Sequence, residues 1–596
     1  MNKNILGIKQ VADILNVSQS TVRRWADNGT IKSFKHPKSG YRKFEYNDVK
    51  IFKDSMKKNV TNDKETFRII DKNIVPLAHP KHYLMHRYWG RKAHNVVNEY
   101  IKCFTNEGDT ILDPFMGSGT TIIEGLKLKR NTIGVDLNPM SLFITKNTIN
   151  DVDLERFSQV FKEIYSKVFN EYGSLYETIC PICKKKAKIK IAIWENNSII
   201  KIRSRCEEHN EVITSPTIDD INKITTINHY FNYLNLNNKL NYPKDKILSY
   251  VKRSGKENIN ELFSERALII ISAIKTEILK VKNDNIKNLL LMCFTSMLPN
   301  VSKMIPGDVK KCTYKSGWVV SKFWVPAIHT ERNVFDCFEL RFKTILKGKK
   351  ELSGLLDTSN ARLYNKDSSN LDFIPNESID YIFTDPPYGE SIAYFALSQF
   401  WNTWLENDVN YEKEIIIDSY RNKTYETYDT EMCNVFNELY RVLKPNKYLS
   451  FTFHNRDLNV WKAILDNCIL SGFDLISITM QEQAVSSGTQ GLNKKNTLKG
   501  DFIYNFRKIE KKEVKPQHCN AEKLILMELY NQIKSNNGAT SSELYEYIIP
   551  VIAHNRAYYN KQGKVIDIEK LLNDNFVYRN TDKTGESYKW VLKEEL

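Results

Sequence analysis

The sequence contains no run of 18 apolar residues, and its opening, Met1-Asn2-Lys3-Asn4, has nothing of the apolar core of a secretion signal. These two absences predict a cytoplasmic protein with no membrane partner. Cysteine is sparse, ten in 596 residues, and scattered except for one cluster. That pattern fits a reducing compartment and argues against a disulfide framework. Glycine and proline, at 23 and 17, are too few for a low-complexity chain, and 41% hydrophobic residues describe an ordinary globular protein. At about 150 residues per domain the length predicts several units. Acidic residues are in deficit, 71 against 87 Lys and Arg, leaving a net charge of +16. A basic surplus favours a polyanionic partner, although Lys-, Asn- and Ile-rich composition from an AT-rich genome produces the same balance.

Two stretches carry the chemistry. The apolar run Asp380-Tyr381-Ile382-Phe383-Thr384 stops at Asp385-Pro386-Pro387-Tyr388. It reads as a buried strand delivering a rigid loop to a sheet edge. Far upstream, Thr110-Ile111-Leu112-Asp113-Pro114-Phe115-Met116-Gly117-Ser118-Gly119-Thr120-Thr121 reads as strand, Gly-rich turn and helix. Glycine lets the backbone approach a ligand closely, and a helix starting near Thr120 presents free N–H groups. No Lys follows the glycines, which excludes a P-loop, and Ile122 stands where a dinucleotide fingerprint has its third glycine. The next strand, Thr132-Ile133-Gly134-Val135, ends in Asp136, whose carboxylate can accept two ribose hydroxyls.

Together the two stretches resemble the amino-directed DNA methyltransferases, which methylate adenine N6 or cytosine N4 with S-adenosylmethionine (SAM). The resemblance covers residues 76–150 and 361–508. It implies a Rossmann-like α/β fold, a seven-stranded SAM methyltransferase core. It assigns Asp113, Phe115, Gly117, Gly119, Thr120, Asp136, Asn138 and Asp367 to the cofactor, with Tyr88, Arg91 and Lys92 near its methionine end. Asp385, Pro386, Pro387 and Tyr388 become catalytic: the Asp385 carboxylate and Pro386 carbonyl accept the two amino N–H groups, and Tyr388 stacks on the base. The target must leave the duplex, at a cost of a few kcal/mol. Asp at the first position of the tetrad leans toward adenine. A C5-cytosine enzyme would need a nucleophilic Cys after Pro, and no Pro-Cys dipeptide occurs. Gly389 to Trp404 is expected as an aromatic helix lining the base pocket, and Leu439 to Pro445 as the turn into a strand, Tyr448 to Phe453. Phe473 to Thr479 and Phe502 to Phe506 are the expected last strands.

Some 200 residues separate Asp136 from the expected third strand. Within them Cys180-Pro181-Ile182-Cys183 and Cys206-Glu207-Glu208-His209 bracket an alternating strand-like segment, Ala187 to Ser204. Paired ligands at this spacing match a zinc ribbon, and four ligands leave no open position, so the zinc is structural. Leu268 to Met297 reads as core helix. Beyond it, Lys303, Lys310, Lys311, Lys315 and Lys322 interleave with Tyr314, Trp318, Phe323 and Trp324, a mixture able to grip a nucleic-acid backbone or to form a solvated face over an apolar cluster.

Residues 6–54 are similar to a MerR or excisionase winged helix-turn-helix: a helix at Gln10–Leu15, a second from Ser20 to Asp27 with Ser18 as N-cap, and a wing from Ile31 to Tyr46. Such a module would contact double-stranded DNA through Gln19, Thr21, Arg23, Arg24, Lys38 and Arg42, with Lys35 also reaching phosphate. The expected organisation is a helix-turn-helix over 1–55, a linker over 56–75, and the cofactor half of the core over 76–150. A zinc-ribbon insertion follows over 151–360 (ribbon 178–212), then the catalytic half over 361–512 and a second winged-helix-like unit over 513–596. The implied function is N6-adenine methylation of duplex DNA in a restriction-modification or phage-defence system, with partner subunits of such a system. Cytosine N4 methylation, an RNA amino-methyltransferase and a non-catalytic DNA-binding regulator are the alternatives.

Overall fold

The computed structural model describes residues 5–15, 19–27, 31–35, 41–46, 48–50, 52, 68–70, 73–249, 251–252, 255–318, 322–390, 392–455, 457–482, 500–510, 520–580 and 588–593. Its centre is a seven-stranded sheet of β1 (Thr110–Asp113), β2 (Asn131–Val135), β3 (Ala361–Tyr364), β4 (Ile379–Thr384), β5 (Leu443–Phe453), β6 (Phe473–Glu482) and β7 (Gly500–Lys508). The spatial order is β3-β2-β1-β4-β5-β7-β6. β7 runs antiparallel to both neighbours and the remaining pairs are parallel. All six residues of β4 are buried, as expected of a parallel strand covered on both faces. The order reverses between β1 and β4, which are adjacent although about 270 residues separate them. Such a switch point opens a crevice at the carboxyl ends of the two strands.

Helices α1 (His94–Phe104), α2 (Thr120–Lys127), α3 (Pro139–Ile149), α5 (Tyr425–Val442) and α6 (Leu458–Ser471) cover the sheet, and α4 (Tyr394–Asn402) packs on α3 and the insertion. Tyr100 and Phe104 of α1 pack on Phe383 and Tyr381 of β4, fixing the approach to the crevice from below. The expected strands and helices of both halves are present, most of them a few residues longer than the sequence pattern indicates.

The insertion folds onto this core. Helices Leu154–Tyr172, Ile218–Leu236, Glu265–Leu279, Asp284–Val301 and Val334–Leu352 surround a five-stranded sheet formed by residues 177–179, 186–195, 198–205, 212–214 and 328–332. The segment Ala187 to Ser204, read as one strand-like run, is a hairpin that turns at Asn196, φ +53°. The helical stretch Leu268 to Met297 is two helices, the second capped by the Asn283 side chain on Ile286 N–H. Arg266 and Glu331, both almost wholly buried, tie the first of these to the small sheet: Nε and Nη2 donate to the two carboxylate oxygens at 3.0 and 2.5 Å. Ser264 and Trp194 donate to the same carboxylate.

The aromatic helix after the tetrad departs from expectation. In α4 and just beyond it, Phe400, Trp401 and Trp404 are fully buried against Phe263, Phe294 and Trp318 of the insertion, and Trp401 Nε1 donates to Thr295 O at 3.0 Å. Large apolar rings pack where most area is removed from water, so these close the core and leave Tyr394 and Phe395 facing the crevice.

At the N-terminal end, helices Ile8–Leu15 and Gln19–Asp27 accompany a three-stranded sheet in which Arg42–Glu45 lies between Ile5–Gly7 and Phe34–Lys35. The strand at Ile5–Gly7 had no signal beyond its three residues. Ser18 lies outside the described residues. The described end of the 56–75 segment is docked: Thr479 Oγ1 and Gln481 Nε2 of β6 donate to Ile70 O and Ile74 O, because both isoleucines cover the cluster around α1. Residues 520–593 form helices Ala521–Ser535, Ser541–Asn555 and Ile568–Asn575 and a hairpin, Phe576–Asn580 with Tyr588–Leu592. The Asp582–Gly585 turn lies outside the described residues. Arg556 anchors this unit to α6 through Nε and Nη2 on Asp466, 2.7 and 3.0 Å.

Removing one partner of a buried ion pair costs about 3–5 kcal/mol because the other charge is left uncompensated. Arg266→Leu is therefore expected to lose about that much stability. Urea denaturation followed by tryptophan fluorescence reads it, and an unchanged midpoint would show that the pair does not hold the insertion together.

Candidate active site

β1 ends at Asp113, and the chain turns through 114–119 before entering α2. Met116 N–H bonds to Val135 O at 3.1 Å and Gly119 N–H to Met116 O at 2.8 Å, so the turn lies across the end of β2. There Asp136 accepts Gly117 N–H on Oδ2 (2.9 Å) and Asn138 N–H on Oδ1 (2.8 Å). Burial pushes its carboxyl up to about 6 and these N–H donors oppose the rise. The Ser141 hydroxyl also bonds to this carboxylate, and Asp136 lines the crevice.

The glycines have a reason besides ligand approach. Gly117 (φ +50°) lies under the Tyr88 ring, which a Cβ would meet at 2.9 Å; a Cβ on Gly119 (φ +78°) would lie 2.4 Å from Thr145 Cγ2 of α3. Left-handed backbone and neighbouring side chains require glycine there. Gly119 stands behind the wall of the crevice.

Asp113 joins the cofactor turn to β4. Its Oδ1 accepts Phe115 N–H (3.1 Å) and the Thr384 hydroxyl (2.9 Å). Burial lifts its carboxyl to about 7, with hydrogen bonds from Thr121, Thr384 and Phe115 opposing and Asp385 adding to the rise. From β3, Asn365 donates to Asp136 O (2.8 Å), Ser368 donates to Pro114 O, and Asp367 accepts Ser369 N–H and hydroxyl on Oδ1.

The tetrad follows β4 directly. Asp385 Oδ1 accepts the Tyr388 hydroxyl (2.6 Å) and the Thr452 hydroxyl, and Lys92 Nζ is 3.3 Å from the same oxygen. Among the described residues no protein donor falls on Oδ2. Burial raises the Asp385 carboxyl, Lys92 opposes that rise and Asp501 reinforces it. Tyr428 OH donates to Pro387 O (2.5 Å) and Asn455 Nδ2 to Tyr388 O (3.1 Å), holding the loop without using the Pro386 carbonyl. The Tyr388 ring meets Phe453 edge-on at 5.0 Å. Its hydroxyl is turned inward onto Asp385, and the residue is half-buried.

Residues of both sets line one crevice of about 120 Å³. Asp113, Phe115, Gly117, Thr120, Asp136, Asn138 and Asp367 contribute from the cofactor set, Asp385 and Pro387 from the tetrad, and Tyr88, Arg91 and Lys92 from the approach to α1. Of the other two residues of the tetrad, Pro386 is buried and Tyr388 half-buried. Arg91 Nε donates to Ser118 Oγ at 2.9 Å, whereas Lys92 reaches Asp385, Tyr388 and Asp501. Thr452, Asp501 and Tyr394 were not singled out from sequence; each is a lone polar residue beside an apolar run, with nothing local to distinguish it.

The ligand atoms of Cys180, Cys183, Cys206 and His209 lie within 4.8 Å of one another. Cys183 Sγ to Cys206 Sγ is 3.7 Å, and His209 Nδ1 is 3.7 and 3.4 Å from the Cys180 and Cys206 sulfurs. A tetrahedron with Zn–S bonds near 2.3 Å has edges of about 3.8 Å, so the donor set fits zinc.

A family model described as DNA methylase, N6_N4_Mtase, matches residues 13–147 and 379–594, more than half of the chain. The chain belongs to this DNA methylase family. It is similar to the type II methyltransferase M.MjaII of Methanocaldococcus jannaschii, 31% identical over 83 residues, which cover 14% of this chain and 16% of that one. M.BsoBI of Geobacillus stearothermophilus is 26% identical over 261 residues, 41% of this chain and 48% of that one. M.MvaI of Kocuria varians is 21% identical over 375 residues, 61% and 65% respectively. The chain thus spans between about a sixth and two thirds of the length of these curated relatives. The family's two matched blocks flank the insertion, as the two halves of the crevice do.

Of the expected DNA contacts, Gln19 is exposed on its helix. The Arg23 guanidinium lies 5.2 Å from the Tyr547 ring of the C-terminal unit, and Arg42 Nη1 donates to Arg23 O at 3.3 Å. These two arginines are engaged within the protein because an aromatic face and a helix-end carbonyl lie within their reach. Lys38 and the side chains of Thr21, Arg24 and Lys35 lie outside the described residues.

Gly119→Ala combines left-handed backbone strain of about 1–2 kcal/mol with overpacking of about 1–3 kcal/mol. A double-mutant cycle with Thr145→Ala is expected to recover the overpacking share and leave the strain. Additive denaturation free energies would show that the two residues do not meet.

Proposed function

We propose that the protein is a SAM-dependent DNA methyltransferase acting on the N6 amino group of an adenine turned out of duplex DNA, in a restriction-modification or defence setting. The observation that carries this is the shared crevice: a glycine turn with ribose-type acceptors on one wall and an Asp-Pro-Pro-Tyr loop on the other. Membership of the DNA methylase family supports it.

SAM, when bound, supplies a methyl group already activated by its sulfonium charge. Asp136 would hold the ribose hydroxyls, Asp367 the adenine end through the oxygen left by Ser369, and Tyr88 and Arg91 the methionine end. The enzyme's remaining task is to position the amino nitrogen and exclude water. An exocyclic amine is a poor nucleophile because its lone pair is delocalised into the ring. Asp385 Oδ2 and the Pro386 carbonyl, as acceptors for the two N–H groups, aim that lone pair across the crevice. Adenine is favoured by the Asp at the head of the tetrad. The insertion, between the two halves, is the assigned target-recognition region, and the Cys180, Cys183, Cys206 and His209 cluster holds structural zinc. The N-terminal helix-turn-helix and the C-terminal helices with their hairpin are assigned to DNA.

Incubation with labelled SAM and varied duplexes, followed by digestion to nucleosides, is expected to yield N6-methyladenine. Asp385→Ala is expected to lower the rate about 10²–10³-fold, the scale of one lost transition-state hydrogen-bond partner, with SAM binding retained. N4-methylcytosine in the digest would transfer the reading to cytosine; SAM binding without label on any DNA would end it. Elemental analysis is expected to find one zinc per chain, lost in Cys183→Ser with a lower melting temperature and with no direct role in methyl transfer.

A further inference from the structure

Lys92 joins three segments that meet at the crevice. It lies just before α1, and its Nζ is 2.7 Å from Asp501 Oδ2 near the start of β7, 2.9 Å from the Tyr388 hydroxyl and 3.3 Å from Asp385 Oδ1. An ammonium has three hydrogens and no acceptor; two of them go to Asp501 and Tyr388, and Asp385 is its ion-pair partner. Tyr388 accepts from Lys92 and passes its own hydrogen to Asp385 Oδ1 at 2.6 Å. Thr452 of β5 donates to that oxygen as well. Every donor thus converges on one oxygen of a carboxylate whose two oxygens are otherwise equivalent. The plane of the group is fixed, and Asp385 lines the crevice. Lys92 and Asp501 are largely buried, with 17% and 8% of their side chains exposed, so this is not a solvated surface pair of little weight.

We propose that Lys92, braced by Asp501, is a positioning residue for the methyl transfer: with Tyr388 and Thr452 it locks Oδ1 of Asp385 and presents Oδ2 to the amino group of the base. The proposal rests on the reading of Asp385 as the acceptor for that amino group. It gives Tyr388 a task in setting its neighbour's carboxylate, apart from any contact with the base. It also explains why the antiparallel strand β7 carries a buried acid at its crevice end: a lysine shared between two carboxylates stays charged, and burial, which works against the ammonium, is outweighed by Asp385 and Asp501.

The charged and titratable groups facing Asp385 are Lys92, Asp501, Asp113 and the phenols of Tyr388 and Tyr394. Lys92 favours the ionised carboxylate, while Asp501 and Asp113 disfavour it. If Asp385 must be ionised to accept, activity rises with pH through its titration. Removing Lys92 must then move the acid limb of kcat upward, and neutralising Asp501 must move it downward.

The test is the kcat profile from about pH 5 to 9 for the full-length protein, Lys92→Met, Lys92→Arg and Asp501→Asn, with SAM affinity measured by calorimetry. Lys92→Met is expected to shift the acid limb up by about one unit, a roughly tenfold loss of kcat on that limb, with SAM affinity unchanged. Lys92→Arg should stay near the wild-type profile, and Asp501→Asn should shift the limb the other way. A merely structural tie would lower activity without moving the limb, and that result overturns the proposal. So does loss of SAM affinity in Lys92→Met, which would make Lys92 a cofactor ligand. If Lys92→Met does not fold, the near-isosteric Asp501→Asn decides by the direction of its shift. A wild-type protein that binds SAM and methylates no DNA overturns the functional reading, and this proposal with it; an active wild type with unmoved limbs overturns the positioning role and leaves that reading standing.

Discussion

The hydrogen-bonded pairing of β1 with β4 is the constraint on which the rest depends. Ile111 and Leu112 lie in register with Tyr381 and Ile382, and just beyond that register the Thr384 hydroxyl bonds to Asp113. Parallel strands leave on the same edge of a sheet, so the two loops emerge side by side however long the chain between them. Closing a loop of that length costs little more than closing one half as long, because the entropy grows with the logarithm of length. The insertion can therefore be large without loosening the crevice, provided it folds as its own layer.

The crevice concentrates acids in a dry place. Asp113, Asp136 and Asp385 all line it with their carboxyls raised, chiefly by burial. Such groups stay ionised only where donors or cations face them. Asp136 has two backbone N–H groups and the Ser141 hydroxyl, Asp113 two hydroxyls and a backbone N–H, and Asp385 a lysine with two hydroxyls. The order is meaningful: the acid with a full cation beside it is the one at the head of the tetrad. A positively charged ligand entering between these walls would meet acceptors on both sides.

Much of this was legible in the chain. Short β-branched runs ending at Asp113, Val135 and Thr384 mark strands because parallel strands buried on both faces are almost wholly apolar. The loops after them carry their chemistry in consecutive residues, as does the cysteine cluster, where spacing and ligand type suffice. What could not be read depends on neighbours distant in sequence. Lys92, Thr452 and Asp501 are ordinary residues until β5 and β7 set them around Asp385. The need for glycine at 119 depends on Thr145 in the next helix, and the turn at Asn196 looked like one more polar residue in an alternating run. The rings of α4 misled because aromatic content signals burial without saying which layer will bury it.

That last point bears on how the insertion relates to the catalytic loop. α4 follows the tetrad with five intervening residues, and one of its sides lies on the crevice through Tyr394 while the others are sunk among the insertion's helices. Asn138, from the loop after β2, is held by Ser398 and Asn402 of the same helix, at 2.7 and 3.2 Å. The helix therefore joins the loop after β2, the crevice and the insertion. Packed interiors transmit displacement because they have little free volume to absorb it. A movement of the insertion would be carried by Trp401 and Trp404 into α4, and from there to both walls of the crevice. An insertion joined by solvated linkers would lack that path. The burial of these tryptophans makes the insertion part of the wall it serves.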